Sequence, residues 1–141
     1  MQQTATLEKA TQELQDDHSR LHQLIDALGH AGDLAQMSAH LTTLHDRLTA
    51  HFNAEERPGG LYDTLGFCEP EFRRPLGRLV DDHFRLAATL RSLRERARAI
   101  GGVDVDTLRV DVARLVGAVA EHEKRELEMV QRAGARAAAT A

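Results

Sequence analysis

Apolar residues recur along most of the chain at intervals of three and four, the spacing that places them on one face of an α-helix. The pattern runs through four segments that are separated by turn-forming residues. The sequence therefore predicts four long helices, near residues 5–29, 34–57, 74–99 and 105–132.

The breaks between these segments combine Gly, Pro and Asp, residues that end helices and favour turns. They are Gly29 to Asp33, Pro58 to Gly60, Gly66 to Pro75, and Gly101-Gly102. Short connections favour antiparallel neighbours, so we expect an all-α, up-down-up-down antiparallel four-helix bundle. Residues 134–141 lack a core pattern, which predicts one domain over 1–133 and a frayed C-terminal tail.

Polar residues interrupt each predicted apolar stripe. Two helices carry a His-xxx-Glu step, which places an imidazole and a carboxylate on the same helix face. A single His on an apolar stripe is more often a core residue with a hydrogen-bond partner, but six such groups are difficult to satisfy without a cation. The candidate metal ligands are His18, His51, Glu55, His83, His122 and Glu126.

The spacing of these residues along the chain was also compared with that expected if they lie at the same height along the axis of an antiparallel bundle, where two such residues are equally far from the turn between their helices. Residue 53, the middle of the first His-xxx-Glu step, and His83 have their midpoint at residue 68, inside the break from Gly66 to Pro75. Residue 124, the middle of the second step, and His83 have their midpoint near 103, next to Gly101-Gly102. The first hairpin fits less well, because the midpoint of His18 and residue 53 lies near 35. That misfit is about one helical turn.

The sequence Asp16-Asp17-His18 resembles Asp81-Asp82-His83, and each precedes a helix with a His-xxx-Glu step. The chain thus reads as two similar helical hairpins, an arrangement that suits a site for two metal ions. Asp17 and Asp82 point about 100° away from the neighbouring histidine on a helix, so they are not predicted as ligands.

Four imidazoles and two carboxylates are too rich in nitrogen for calcium or magnesium and lack the thiolates of structural zinc. The most natural occupants are two non-haem iron ions bridged by Glu55 and Glu126, each with two histidines. An oxo or hydroxo bridge would leave a coordination position for a small ligand. Manganese or zinc would also accept these ligands.

Composition narrows the remaining functions. The net charge is -4, which argues against binding nucleic acid or anionic lipid. Cys68 is the only cysteine, which excludes an internal disulfide. No apolar run approaches the roughly 20 residues that a membrane span needs, and no signal segment is evident, so we expect a cytoplasmic protein.

The ordered set His18, His51-xxx-Glu55, His83 and His122-xxx-Glu126 resembles the hemerythrin family, specifically the hemerythrin-like HHE cation-binding domains. The resemblance covers about residues 10–130 and includes a short loop with Leu61-Tyr62. It implies that His18 and His51 bind one iron, that His83 and His122 bind the other, and that both glutamates bridge them.

The chain differs from oxygen-carrying hemerythrins at two positions. Those proteins have a second His one turn after the third-helix ligand, where this chain has Ala87, and a carboxylate five residues after the fourth-helix His, where Glu126 follows at four. The pattern looks more like bacterial relatives tied to oxygen, peroxide or nitric-oxide responses, or like iron-sensing members.

Several functions therefore remain open. The leading interpretation is a protein that binds, senses or reduces dioxygen, hydrogen peroxide or nitric oxide, and a binding protein is favoured over an enzyme. The alternatives are an iron sensor or store, and a helical interaction module with structural zinc or no metal. His22 and Tyr62 are candidates for supporting the ligands or controlling access. No protein partner is predicted.

Overall fold

A computed structural model describes residues 2–99 and 104–139 of the chain. The predicted four-helix fold is confirmed, and each boundary but one lies within three residues of the predicted one. None of the described helices combines the length and apolarity needed to cross a membrane. The elements are α1 (Gln2–Gly29), α2 (Leu34–Glu56), α3 (Leu61–Cys68), a 3₁₀ turn (Pro70–Phe72), α4 (Arg73–Arg98) and α5 (Val105–Ala139).

The four long helices form an up-down-up-down antiparallel bundle. α1 packs against α2 and α5, and α4 packs against the same two helices, so the long helices close a ring around one core. The short helix α3 contacts α1, α2 and α5 at one end of this ring. The residues between α2 and α4 thus cover part of the bundle.

A reciprocal cap fixes the turn from α1 to α2. The carboxylate of Asp33 accepts a hydrogen bond from the backbone N–H of Gln36, and the Gln36 side chain accepts one from the N–H of Gly32. Both bonds satisfy backbone donors that the start of a helix would otherwise leave free. The cap therefore begins α2 at a defined residue and sets its register against α1.

The core consists of two apolar clusters along the bundle axis. The larger one is built from the four long helices, and the other joins α3 to both ends of the chain, for example through Leu7 and Met129. On α4, Leu79 and Leu86 are buried in the core, whereas their neighbours Val80 and Ala87 are half-buried. The buried polar residues are His51, Glu55, His83, His122 and Glu126.

One predicted helix end and one predicted loop differ from the structure. α5 continues to Ala139, seven residues beyond the predicted end at 132, because residues 131–139 are mostly strong helix formers and Ala133 is buried. The predicted tail is thus helical as far as Ala139, and residues 140 and 141 lie outside the described residues. The predicted loop at Leu61-Tyr62 is wrong, since it forms α3. The predicted break at Gly101-Gly102 also lies outside the described residues.

Gly60 allows α3 to pack closely against the end of α2. A Cβ atom at this position would lie 2.5 Å from the carbonyl oxygen of Ala54 and 2.8 Å from that of Glu55. We expect Gly60→Ala to push α3 away and to reduce the free energy of unfolding by about 1–3 kcal/mol, as measured by urea denaturation. Gly77→Ala is the control, because nothing lies within 4 Å of its added Cβ. Equal stability of the two variants would contradict this account.

Candidate metal centre

The six predicted ligands converge between the two apolar clusters. They form two groups of four, and within each group one ligand atom per residue lies within 4.8 Å of the others. The two groups have Glu55 and Glu126 in common, so the same carboxylates belong to both. The groups are His18, His51, Glu55 and Glu126, and Glu55, His83, His122 and Glu126.

Each glutamate faces one histidine from each of the two groups. Glu55 Oε1 lies 3.3 Å from His51 Nε2 and 3.4 Å from His83 Nε2. Glu126 Oε1 lies 3.4 Å from the Nε2 atom of His18 and 3.3 Å from that of His122. Carboxylates placed between two pairs of imidazoles have the arrangement expected of bridging ligands.

Several of these atoms lack a hydrogen-bond partner although they are buried. Within the described residues they include the Nε2 atoms of His18 and His51, both oxygens of Glu55, and Glu126 Oε1. Leaving a polar group buried and unpaired costs about 1–3 kcal/mol, and more for a charged one. A cation between these atoms would offset that cost, so the residues present fit a metal site.

Carboxylates hold the far side of three of the imidazoles. When Nδ1–H donates to a carboxylate, the other ring nitrogen, Nε2, presents its lone pair to a metal ion. The three rings are thus fixed both in orientation and in the tautomer that binds metal. The Nδ1–oxygen pairs are His51 with Asp17 at 3.1 Å, His83 with Glu56 at 2.8 Å, and His122 with Asp82 at 3.1 Å.

Sequence reasoning missed these supporting carboxylates. Asp17 and Asp82 do point away from the histidines next to them in sequence, but each reaches a histidine on the following long helix. The repeated Asp-Asp-His step was the available signal, because both hairpins use its second aspartate in this way. Asp82 is itself held by Arg125, at 3.1 Å. Glu56 directly follows Glu55, and no repeat or spacing in the sequence marked it as a supporting residue.

The first group is less firmly held than the second. In the described part of the chain no group pairs with Nδ1 of His18, whose side chain is 15% exposed. Glu56 supports His83 from the position after Glu55, whereas the corresponding position after Glu126 is Leu127, whose side chain cannot accept a hydrogen bond. The two halves of the site are therefore similar in ligands but not in support.

Aromatic residues enclose the second group. The Phe52 ring stacks on His83 with a centroid distance of 3.8 Å and an angle of 9°. The Tyr62 hydroxyl donates to Glu126 Oε2 at 2.8 Å and lies 2.9 Å from His83 Nε2. Burial, with Glu126 nearby, raises the pKa of Tyr62, so its hydroxyl keeps its proton. The sequence made Tyr62 a candidate for supporting the ligands, and its hydroxyl contacts one ligand from each of two helices, Glu126 and His83.

His22 lies outside both groups. Its side chain is 60% exposed, and Nε2 lies 2.7 Å from Glu123 Oε2. It lies one helical turn after His18, but its contact is with a carboxylate of α5. The structure thus places it in a surface pair rather than among the converging atoms.

Burial and neighbouring groups shift the pKa values of the two buried carboxyl groups in opposite directions. Burial and the adjacent Glu126 raise the pKa of Glu55 well above its usual range. Burial also opposes ionisation of Glu126, but its close approach to the Glu55 carboxyl group and to the imidazoles of His122 and His18 outweighs burial and holds the pKa of Glu126 well below its usual range. Without a cation, the pair therefore favours one protonated and one ionised carboxyl group.

The histidines are also predicted to titrate differently in the metal-free protein. Burial lowers the pKa of His51 and of His83, whereas for His122 the Glu126 and Asp82 carboxylates outweigh burial and raise it. NMR titration of the rings should give midpoints below about 6.5 for the first two and above it for His122. Single His→Gln variants would assign the signals, and a common midpoint would contradict the prediction.

These directions have opposite consequences for stability. Below about pH 6.5 the unfolded chain binds protons that folded His51 and His83 resist, so their contribution to stability is lost as pH falls. The contribution of His122 is present below about pH 6.5 and is lost as pH rises through its higher folded pKa. His51 and His83 are thus neutral, and able to bind metal, at neutral pH.

Comparison with known proteins agrees with the geometry. The family model of the hemerythrin HHE cation-binding domain matches residues 9–133, which is most of the chain. Searches of curated proteins and of solved structures gave no match. The matched range contains all of α2 and α4, most of α1 and α5, and every residue of both groups. This chain therefore belongs to the hemerythrin family of HHE cation-binding domains.

Proposed function

We propose that the six converging residues hold two non-haem iron ions and that this pair binds, senses or reduces a small oxidant. His18 and His51 hold one ion, His83 and His122 the other, and both glutamates are shared. The observation that carries the proposal is the sharing of Glu55 and Glu126 between two otherwise separate groups. A site for one ion would not need two such groups.

The donor atoms, taken together with the family, favour iron among the common metals. Mixed imidazole and carboxylate ligands suit iron, manganese and zinc, and the family resemblance favours iron. When bound, iron supplies the change of oxidation state by which dioxygen, hydrogen peroxide or nitric oxide is bound or reduced. The two carboxylates offset part of the positive charge that two such ions bring into the interior.

The protein's own residues prepare the site in three ways. Asp17, Glu56 and Asp82 orient three imidazoles through their Nδ1 atoms. Phe52, stacked on His83, covers one face of that imidazole and fixes the plane of its ring. The Tyr62 hydroxyl keeps its proton and donates to Glu126 Oε2 at 2.8 Å. It can donate the same hydrogen bond to an oxygen atom of a small ligand that takes the place of Glu126 Oε2.

The size of the opening beside the first group supports a small ligand. A cleft of about 80 Å³ between α1, α2 and α3 is lined by residues that include Asp17, His51, Glu55 and Gly60. A water molecule occupies about 30 Å³ of the liquid. The cleft therefore has room for a diatomic molecule or a peroxide, but not for a large substrate.

The proposed function predicts a spectral response to small oxidants. We expect protein loaded anaerobically with ferrous iron to change its visible absorption on addition of dioxygen, hydrogen peroxide or nitric oxide. Tyr62→Phe removes the proton donor but none of the six ligands, so it should keep its iron and alter the rate of the response. Loaded protein that responds to none of the three would contradict the proposal.

The same experiment distinguishes binding from catalysis. Repeated additions of peroxide with continued consumption would indicate an enzyme. A single stoichiometric change that reverses when the ligand is removed would indicate a carrier or sensor. The six ligands are the same in both cases, and the described residues beyond them offer no acid or base whose placement demands turnover, so we favour binding.

A further inference from the structure

A second concave site lies on the other side of the Asp17–His51 pair. It is a groove of about 320 Å³ between α1 and α2, at the lower end of the range for small-molecule sites. Unlike the narrow cleft near Glu55, it does not reach the bridging carboxylates. Its lining residues are Asp17, Arg20, Leu21, Gln23, Leu24, Arg47, Ala50 and His51.

The groove is positive although the protein as a whole is negative. Arg20 on α1 and Arg47 on α2 line it together with one carboxylate, that of Asp17, so the lining carries +1 while the chain carries -4. An anion would therefore be attracted to this groove by its two arginines and not by the net charge of the chain, which is negative.

Neither arginine is fully neutralised by the protein. Within the described residues Arg47 has no ion-pair partner, and Arg20 has one contact, at 3.7 Å, with Asp17. Asp17 also accepts the hydrogen bond from His51 Nδ1, so its charge is divided between two partners. The groove thus offers guanidinium donors with free capacity.

The inner wall of the groove is apolar. Leu21 is 3% exposed and belongs to the core, Leu24 is half-buried against it, and Ala50 continues the same wall on α2. At about 30 Å³ for each water-sized group, the volume corresponds to on the order of ten non-hydrogen atoms. A ligand that fills it therefore needs an apolar body as well as a charge.

We propose that this groove binds a small organic monocarboxylate. Its carboxylate would pair with Arg47 and Arg20, since the planar guanidinium matches a carboxylate in two parallel hydrogen bonds. Its short apolar chain would lie along Leu21, Leu24 and Ala50. The groove does not include the shared carboxylates, but it adjoins the metal centre, because His51 and its supporting residue Asp17 line one side of it.

Isothermal titration calorimetry of the purified, metal-containing protein with sodium hexanoate tests this proposal. For a ligand of this size we expect a dissociation constant on the order of 1 mM. Hexanol lacks the charge and inorganic phosphate lacks the apolar chain, so both should bind at least about tenfold more weakly. Metal content is measured on the same samples, which separates this result from any failure of the metal centre.

Matched variants locate the binding. Arg47→Gln should weaken hexanoate binding by about tenfold or more, whereas Arg78→Gln, the same change at an exposed position of α4, should leave it unchanged. Ala50→Leu keeps both arginines but fills the groove and should also reduce binding. The proposal is overturned if hexanoate does not bind, if hexanol or phosphate binds as tightly, or if Arg47→Gln has no effect.

Discussion

Replacing Glu126 with alanine is expected to abolish binding of both metal ions rather than of one. Its Oε1 atom faces His18 at 3.4 Å and His122 at 3.3 Å, one histidine from each group. Loss of a supporting residue outside the ligands typically reduces metal affinity by about 10–100-fold. Loss of a shared ligand should exceed that at each ion, so iron per chain, measured by mass spectrometry, should fall to near zero.

Glu123→Ala provides the matched control, because it makes the same change one turn earlier on α5. Glu123 pairs with His22 outside both groups, so this variant should keep its iron. Circular dichroism should show that both variants remain helical. A well-folded Glu126→Ala protein with unchanged iron content would show that Glu126 is not a shared ligand.

Removal of the metal is expected to lower the free energy of unfolding by several kcal/mol. A ligand present at about 1,000 times its dissociation constant stabilises the folded state by about 4 kcal/mol. For a chain of this length that corresponds to a decrease in melting temperature of roughly 10–20 °C. Scanning calorimetry before and after treatment with a strong chelator measures the change.

In the metal-free protein, Glu55→Leu should raise the free energy of unfolding. Both carboxylate oxygens of Glu55 are buried without a hydrogen-bond partner in the described structure, so leucine removes an unsatisfied group. An unsatisfied buried polar group costs about 1–3 kcal/mol, which an apolar side chain of similar size avoids. We therefore expect metal-free Glu55→Leu to be more stable than metal-free wild type and insensitive to chelator. A wild-type melting curve that chelation leaves unchanged would contradict this account.

The helices could be predicted from sequence because one physical signal, burial of an apolar stripe, governs most of their length. The same signal located the six polar residues, since each interrupts a stripe that must face the core. The first hairpin appeared to misplace His18 by about a turn, yet its Nε2 atom lies 3.4 Å from Glu126.

The supporting carboxylates could not be predicted because their contacts depend on the packing of different helices. Asp17 and Asp82 were judged against the histidines beside them, whereas their partners lie on the next long helix. Tyr62 was placed in a loop because eight residues of α3 are too few for a clear helical period. Its role follows from the close approach at Gly60, which only the folded backbone reveals.

Anomalous diffraction at the iron absorption edge, from crystals of protein loaded with ferrous iron, tests the central claim most directly. We predict two peaks per chain about 3.5–4 Å apart, one beside His18 and His51 and the other beside His83 and His122. Glu55 and Glu126 should lie between the two peaks. A single peak, peaks elsewhere on the chain, or well-ordered protein that takes up no iron would contradict a shared di-iron site.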